Sequence, residues 1–541
     1  MAASWPHHGP FPIPCKENVL SLSAPAPAAR GVDAALAAAS GSPAASCSHQ
    51  ACPAAGPASA AARTGAASAP LAPGVPDVLA EARRFCPCRR PVLALALTRL
   101  AEAAACMEDV SLADITEELL AEIDELLSEQ VSVLLHHPAF QALESAWRGL
   151  RFLADRIPPG HNIVLQILNI SKDDLRADFE DAPEIIRSGL YFHVYVSQYG
   201  QFGGEPVGAL IGNYSFDSSP ADIRLLTSIA AVSAMAHAPF IAAVDKGFFG
   251  IESWEELPNL SDLHALFEMS RYASWRSFRT SPDARYVGLT LPRFLLRAPY
   301  GPEAQAVSSF RFTEDVEDPA FFCWGNTAFA LASRLAESFA RYHWCVNIVG
   351  QEDGAVSSLP TYCYESMDVI QKKIPTEVLI SEQREFELSE EGFIALTLLK
   401  GARNCAFFSA FSCQAPLHDR DNSDSAYVLS YNISRQLPYL FLITRLAHYI
   451  KVLQREYIGS WKGAQELERE LNQWLSQYVT AMAAPDLETR CKRPFCAAQI
   501  RVRETDHDIG WYTVELKVQP HFRYMGLSFT LALTGKLDKT H

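Results

Sequence analysis

The chain has 541 residues, more than a single hydrophobic core usually holds, so two or more domains are expected. Its formal net charge of −16 disfavours non-specific binding to nucleic acid and adhesion to an anionic membrane, because both require a basic surface. Hydrophobic residues make up 49% of the chain and charged residues 20%, which is typical of globular proteins and excludes disorder throughout.

The beginning of the chain has an unusual composition. Residues 1–75 are rich in Ala and Pro, contain few charges and show no apolar periodicity. Such a segment cannot bury enough apolar surface to offset the entropy lost on ordering, so we expect a disordered extension that lies outside the fold. The first ten residues lack the basic and apolar regions of a secretory signal. The thirteen cysteines are an odd number spread over a long chain, so we expect reduced thiols and a cytoplasmic location.

Residues 76–135 are predicted to form an N-terminal helical segment. Apolar residues recur at helical spacing after Ser111, the predicted helix should stop before Pro138, and a second amphipathic helix follows. The stripe formed by the two helices includes Leu119, Ile123, Leu126, Phe140 and Trp147. Two successive amphipathic helices must bury their stripes against something, and partner helices are one option.

Residues 136–425 alternate between strand and helix signals, which indicates a mixed α/β domain. Leu225–Val244 is a run of twenty residues without a formal charge, but Pro239 interrupts it. We therefore predict a buried helix ending near Ala236 and a buried strand at Phe240–Val244 instead of a membrane span. Other predicted elements are strands at Ile163–Ile170, Val207–Ile211, Tyr286–Leu291 and Cys345–Val349 and a helix at Thr327–Tyr342.

Residues 426–541 form the predicted C-terminal region, with helices near Ser434–Tyr457 and Ala464–Val479. Three short strands follow, at Gln499–Arg503, Tyr512–Val518 and Leu527–Leu533. One apolar face of the first two contains Ile500, Val502, Val514, Leu516 and Val518. A terminal hairpin is marginal alone, so it either packs on its own domain, which the pattern alone favours, or accepts a strand from another chain.

Motifs for catalysis and cofactor binding are missing from the sequence. It contains neither a phosphate-binding loop nor a Gly-x-Gly-x-x-Gly run after a strand, and neither Gly-x-Ser-x-Gly nor His-Glu-x-x-His. Cys86 and Cys88 are a lone pair without the further ligands that a structural zinc site needs, and His136–His137 at a helix end suits a structural role. No catalytic, cofactor or metal site is predicted. A triad scattered along the chain would leave no motif, so a cytosolic α/β enzyme remains an alternative.

Several short motifs occur along the chain in a fixed order. HHPAF at residues 136–140 is followed by WRGL at residues 147–150. Later motifs are GNYSF at 212–216, AHAPFI at 236–241, DARYVGL at 283–289, LPRFLL at 291–296, WGN at 324–326 and WLSQYV at 474–479. Over roughly residues 112–538 this series resembles the large subunit of the type VI secretion contractile sheath, the TssC, VipB or EvpB family.

The resemblance implies a structural protein and not an enzyme. It implies a contractile tail-sheath-like fold with an N-terminal helical segment, an N-terminal sheath domain at residues 136–425 and a C-terminal domain at residues 426–541. It also implies an obligate small partner subunit (TssB or VipA), assembly into a helical sheath around an inner Hcp tube on a baseplate, and recycling by the AAA+ ATPase ClpV. A phage-type tail sheath, usually built from one polypeptide, is the other alternative.

The resemblance implies that two surfaces bind other subunits. The helical stripe around Ile123 and Trp147 suits docking of the small subunit. The terminal hairpin suits strand exchange between subunits, because backbone hydrogen bonds repeated over many copies strengthen a lattice. A cytoplasmic location as part of a membrane-anchored apparatus is also implied.

Overall fold

The computed structural model describes residues 18–24, 112–201, 203–301, 307, 310–316, 318–361, 363–366, 369–372, 375–398, 404–417, 425–457, 463–480, 482, 485–504, 512–521 and 531–537. The chain divides into two compact units. One comprises Met1–Pro27, Gln141–Ala298 and Phe322–His541, and the other Ala28–Phe140 and Pro299–Phe321.

Helices occur in both units. They are α1 (Leu112–Leu135), α2 (Pro138–Ala154), α3 (Lys172–Asp181), α4 (Pro220–Ala236), α5 (Leu263–Glu268), α6 (Ala273–Thr280), α7 (Thr327–Tyr342), α8 (Glu382–Glu390), α9 (Ser425–Ser434), α10 (Leu437–Tyr457), α11 (Ala464–Leu475) and α12 (Leu487–Lys492). A further helical stretch from Gly189 to Tyr199 contains a π-helical turn at Phe192–Val196.

Within the residues that the structure describes, the strands belong to four sheets. They are β1 (Asn18–Ala24), β2 (Ile163–Asn169), β3 (Val207–Phe216), β4 (Phe240–Val244), β5 (Val287–Leu291), β6 (Phe294–Leu295), β7 (Trp324–Gly325), β8 (Ala355–Val356), β9 (Cys363–Ser366), β10 (Val369–Lys372), β11 (Phe393–Leu398), β12 (Cys405–Phe407), β13 (Phe495–Glu504), β14 (Tyr512–Pro520) and β15 (Leu531–Leu537).

The largest sheet has eight strands in the order β2-β1-β3-β4-β5-β11-β12-β8. The pairs from β2 to β11 are parallel, and β12 and β8 extend the sheet antiparallel. Side chains alternate between its faces. Phe240, Ala242 and Phe393 enter a core with α4, whereas Ile241 and Ile394 enter a core with α7. The mixed α/β fold class predicted from the sequence is confirmed.

The residues at the two ends of α4 explain where this helix begins and where it ends. Ser219 caps its first turn, Pro220 occupies the first helical position, and His237 ends it in the left-handed conformation with φ 54°. The following strand, β4, is buried along its whole length. The predicted helix to Ala236 and strand at Phe240–Val244 are therefore confirmed. Among the described residues, no helix is long and apolar enough to cross a membrane.

Two predictions about individual strands are wrong. The strand β1 lies between β2 and β3, inside the segment of residues 1–75 that the sequence analysis placed outside the fold. A short run around Val19, Leu20 and Leu22 can supply ladder hydrogen bonds although the surrounding composition is Ala- and Pro-rich. Cys345–Val349, by contrast, forms no strand. Val346 and Ile348 are buried, but no strand of the described residues pairs with this segment.

The C-terminal sheet has the order β13-β14-β15, and all its pairs are antiparallel. It builds a separate core with α10 and α11, in which Leu471 and Trp474 contact the sheet. The three predicted strands therefore exist. The last runs from Leu531 to Leu537 instead of Leu527–Leu533. Asp508–Ile509–Gly510, which the sequence predicts as the turn between the first two of these strands, lies outside the described residues.

Candidate interaction surfaces

The apolar stripe predicted on the first two helices is exposed. The exposed fractions are 39% for Ile123, 51% for Leu126, 42% for Phe140 and 63% for Trp147. Leu119 lies in α1, but its side chain is outside the described residues. Ile123, Leu126 and Phe140 belong to the smaller unit and Trp147 to the larger. Large apolar side chains that remain exposed are typical of surfaces that meet another protein.

The helix α1 also carries a one-sided charge. It contains no Lys or Arg over its 24 residues. It contains seven carboxylates, from Asp114, Glu117, Glu118, Glu122, Asp124, Glu125 and Glu129. An apolar stripe flanked by carboxylates complements an apolar surface that is bordered by Lys or Arg.

A groove borders α1 within its own unit. It encloses about 840 Å³, and its lining includes Asp124, Glu129, Arg311 and Asp315. The backbone N–H of Arg311 donates to a carboxylate oxygen of Asp124 at 3.3 Å, and the His136 ring stacks on Phe321 with 4.1 Å between centroids. His136 thus packs within the smaller unit, which agrees with the structural role predicted for this position.

From Gln141 onward α2 belongs to the larger unit, and hydrogen bonds hold it in place there. Glu144 accepts from Arg297 and from Arg148, each at 2.7 Å, and the Ser145 hydroxyl donates to the carbonyl of Trp324 at 2.6 Å. Burial alone would raise the pKa of Glu144, but the hydrogen bonds and charges of Arg297 and Arg148 outweigh it and lower that pKa. The carboxylate therefore stays ionised, and α2 is anchored from Glu144 while Trp147 faces solvent.

The five strand residues predicted to bind a partner point into their own domain. Their side chains are buried in the core built with α10 and α11; they are Ile500, Val502, Val514, Leu516 and Val518. The apolar face of the hairpin therefore packs on its own domain, and only backbone groups at a sheet edge are left for adding a strand. Substituting Asp at Val514 would destabilise this core and would not test strand exchange.

Sequence reasoning missed two polar residues of α11. Asn472 and Glu468 face the outer edge of β13, where their side chains hydrogen-bond to its backbone. Their spacing of four residues puts them on one side of the helix, next to the apolar positions Leu471 and Leu475. That spacing was visible in the sequence, but the position of β13 beside the helix was not.

The described residues show no cluster of three or more His, Cys, Asp or Glu side chains that could hold a metal ion. Cys345, Cys405 and Cys413 are embedded in the protein, and burial raises the pKa of each thiol to about 12. These thiols therefore stay protonated and unreactive at neutral pH. Cys86 and Cys88 lie outside the described residues.

Comparison with known proteins identifies the architecture. Residues 117–414 match the family model VipB, described as the EvpB/VC_A0108 tail sheath N-terminal domain. Residues 427–537 match VipB_2, the tail sheath gpW/gp25-like domain of the same family. The chain belongs to the VipB/EvpB tail sheath family. The family is structural and not enzymatic, so the enzyme alternative is set aside.

One related protein and one solved structure are also similar to this chain. The type VI secretion system sheath protein TssC1 of Pseudomonas aeruginosa is 40% identical over 428 residues, covering 78% of this chain and 85% of the relative. The chain is thus a structural sheath protein of the type VI secretion class. The sheath tail protein Lin1278 from Listeria innocua aligns with 64% of this chain and 60% of its own, at 10% identity and a TM-score of 0.30, which adds nothing to the assignment.

Proposed function

We propose that this sheath protein pairs with a small TssB- or VipA-like subunit, polymerises in the cytoplasm around an inner Hcp tube, and contracts to drive that tube through a target envelope. The observation that carries the pairing is the set of exposed apolar side chains on α1. Fully burying an exposed Leu, Ile or Phe side chain contributes about 1.5–3 kcal/mol, and roughly half of that is left to gain at Leu126 and Phe140, which are about half exposed.

The charge of α1 supports a partner of definite chemistry. Exposed aliphatic side chains such as Leu126 lie among carboxylates such as Glu122 and Glu125. A matching helix would present aliphatic residues with Lys or Arg on both sides of them. Opposite charges would also favour the correct pairing over contact between two copies of α1, whose carboxylates repel each other.

The energy for contraction is proposed to reside in the lattice. The sequence contains no phosphate-binding loop, so bound nucleotide in this chain is not its expected source. A difference in free energy between two packings of the same subunits would drive the change, and a non-closing contact between subunits would extend as a filament. The baseplate would provide the starting point, and a ClpV-type ATPase would recycle the contracted sheath.

The pairing is tested by co-expressing the chain with the small open reading frame next to its gene. The double variant Ile123→Asp/Leu126→Asp should lose the small subunit on purification and form no tubes in negative-stain micrographs. Its circular dichroism should stay unchanged, because both side chains are exposed.

A matched control is available in the larger unit. Ile186 is 51% exposed, the same fraction as Leu126, so Ile186→Asp makes the same substitution as Leu126→Asp, with one added charge instead of the two of the double variant, and leaves α1 untouched. This variant should assemble normally. Tubes formed by the double variant, or tubes formed by the chain without any small subunit as in a phage-type sheath, would contradict the proposed pairing.

A further inference from the structure

A small cavity lies inside the larger unit, between β3, α7 and α10. Its volume is about 30 Å³. Buried apolar side chains form most of its walls, among them Ala209 of β3 and Ala336 and Phe339 of α7. Two histidines also line it: His343, which follows α7, is exposed, whereas His448 of α10 is buried. The cavity therefore reaches from an exposed residue to a buried one.

The wall formed by α10 is polar. Thr444, Arg445 and His448 lie on one side of this helix, because residues three and four apart share a face. The hydroxyl of Thr444 donates to the carbonyl of Phe441 at 3.3 Å, and its oxygen has a lone pair left that can accept a hydrogen bond. No Asp or Glu side chain is among the described residues that line the cavity. The polar groups are therefore concentrated on one wall, where Arg445 contributes a positive charge.

His448 needs a hydrogen-bond donor at this wall. Its Nε2 lies 3.1 Å from the carbonyl oxygen of Ala236, and a carbonyl can only accept, so Nε2 carries the hydrogen. Burial lowers the pKa of His448, so the ring is neutral and Nδ1 keeps its lone pair. Nδ1 is buried and has no hydrogen-bond partner among the described protein groups. A buried acceptor without a donor is unfavourable, so a bound molecule that donates to Nδ1 would stabilise the fold.

Size and charge limit what this molecule can be. A buried water needs about 10–15 Å³ of such a cavity, so about two water molecules fit and a larger organic molecule does not. A monatomic anion has no hydrogen to donate to Nδ1, and Arg445 repels a cation. A cavity with apolar walls alone stays dry, but the polar wall of α10 supplies the two or more partners that a buried water requires.

We propose that this cavity is a binding site for a pair of ordered water molecules, of which one donates to Nδ1 of His448 and the other donates to the hydroxyl oxygen of Thr444. A bridging water is nearly as favourable in enthalpy as a direct hydrogen bond. The pair completes the hydrogen bonding of a neutral buried histidine that the protein groups alone leave incomplete. The site lies within a single chain, so it does not depend on the proposed function.

A density map of the full-length chain, detailed enough to show ordered water, tests the site. Wild type should show two peaks in the cavity, one of them within hydrogen-bond distance of Nδ1 of His448. Thr444→Val keeps the shape of the side chain but removes its hydroxyl, so it should lose the second peak and keep the first. An empty cavity in wild type, a larger molecule in it, or two peaks in Thr444→Val would overturn the proposal.

Thr290→Val in β5 is a matched control for this variant. Thr290 is also buried, and its hydroxyl donates to the carbonyl of Ala242 at 3.0 Å, but it does not line the cavity. The control therefore loses the same kind of buried hydroxyl and should keep both peaks. Loss of a peak in Thr290→Val would show that the water responds to any buried Thr, and would overturn the assignment to Thr444.

Nitrogen NMR of the wild-type chain with isotope-labelled histidine gives a second measurement that needs no substitution at Thr444. The signals of His448, identified by their loss in His448→Gln, should show the neutral form with hydrogen on Nε2. The Nδ1 signal should be shifted from the position of a nitrogen that accepts no hydrogen bond. An unshifted signal would mean that no donor is bound, and would overturn the proposal even if Thr444→Val failed to fold.

Discussion

The helices α1 and α4 are both rich in aliphatic residues, yet the protein treats them differently. Leu226, Ile229 and Val232 of α4 are completely buried against the central sheet. Leu126 and Ile123 of α1 are exposed. Apolar spacing predicts both helices, but it does not tell which helix is covered by other elements and which stays exposed among the described residues.

The two helices also differ in whether their carboxylates are buried or exposed. In α4 the buried carboxylate of Asp222 is compensated by Lys172 at 2.5 Å and Arg176 at 3.2 Å. In α1 most of the carboxylates are exposed to water. A buried charge requires a partner within the same fold, whereas exposed charges are available for recognition.

The largest expected effect on stability comes from making the same substitution in each of the two helices. Leu226→Ala should lower the free energy of unfolding by about 2–5 kcal/mol, because it leaves a cavity in the core. Leu126→Ala should change it by less than about 0.5 kcal/mol, because that side chain is already in water. Urea unfolding followed by circular dichroism measures both. Similar losses in the two variants would show that α1 is covered within the chain.

An effect of intermediate size on the free energy of unfolding is expected from two histidines at the end of α4, His237 and His448. Burial lowers the pKa of His237 to about 3, with a further contribution from Lys451. Burial also lowers the pKa of His448, and His237, Arg445 and Lys451 add to this effect. His448 Nε2 lies 3.1 Å from the carbonyl of Ala236, so the two rings join α10 to the end of α4.

These rings make the folded state sensitive to acid. They stay neutral in the folded protein but take up protons below about pH 6.5 in the unfolded chain, so stability must fall as the pH drops. The loss from His237 should continue down to pH about 3. Between pH 7 and 5.5 we expect a loss of about 1–3 kcal/mol in urea unfolding.

His448→Gln provides the control for the pH dependence. Glutamine retains an N–H donor for the carbonyl of Ala236 and does not titrate, while every carboxylate of the protein is unchanged. The variant should lose less stability than wild type over the same pH interval. An identical slope in both proteins would exclude His448 as a source.

The smallest expected effect compares two neighbours on α2. A Cβ added at Gly149 would lie 2.6 Å from the Phe329 ring, so Gly149→Ala should cost about 0.5–2 kcal/mol of stability after its helix-favouring effect is subtracted. Trp147→Ala should leave stability nearly unchanged but weaken binding of the small subunit. Thermal unfolding and co-purification separate the two outcomes, and a stable Gly149→Ala protein would mean that Phe329 can move aside.

Much of the fold could be predicted because its signals are local. Ser219, Pro220 and Pro239 mark the limits of α4 and β4, and the predicted helix at Thr327–Tyr342 agrees with α7. The exposure of Ile123 and Trp147 agrees with the sequence analysis, in which partner helices were one option for covering that stripe. The family itself was predicted from ordered motifs and is confirmed by the matching family models.

The features that could not be predicted depend on contacts between segments that are far apart in the sequence. The strand β1 is separated from β2 by more than a hundred residues, so no local pattern reveals their pairing. Cys345–Val349 has the composition of a strand, but strand formation also requires an adjacent edge. For the same reason, the pattern of Ile500 and Val502 could not decide between a partner and their own core, and the role of Asn472 was hidden.

The anchoring of α2 has a mechanical consequence. Glu144 and Ser145 hydrogen-bond to Arg297 and Trp324 less than one helical turn from Trp147. A force applied at Trp147 would therefore reach the β6–β7 pair through a short and stiff connection. Such a connection suits the proposed contraction, in which the movement of one subunit has to be passed on without being lost in bending.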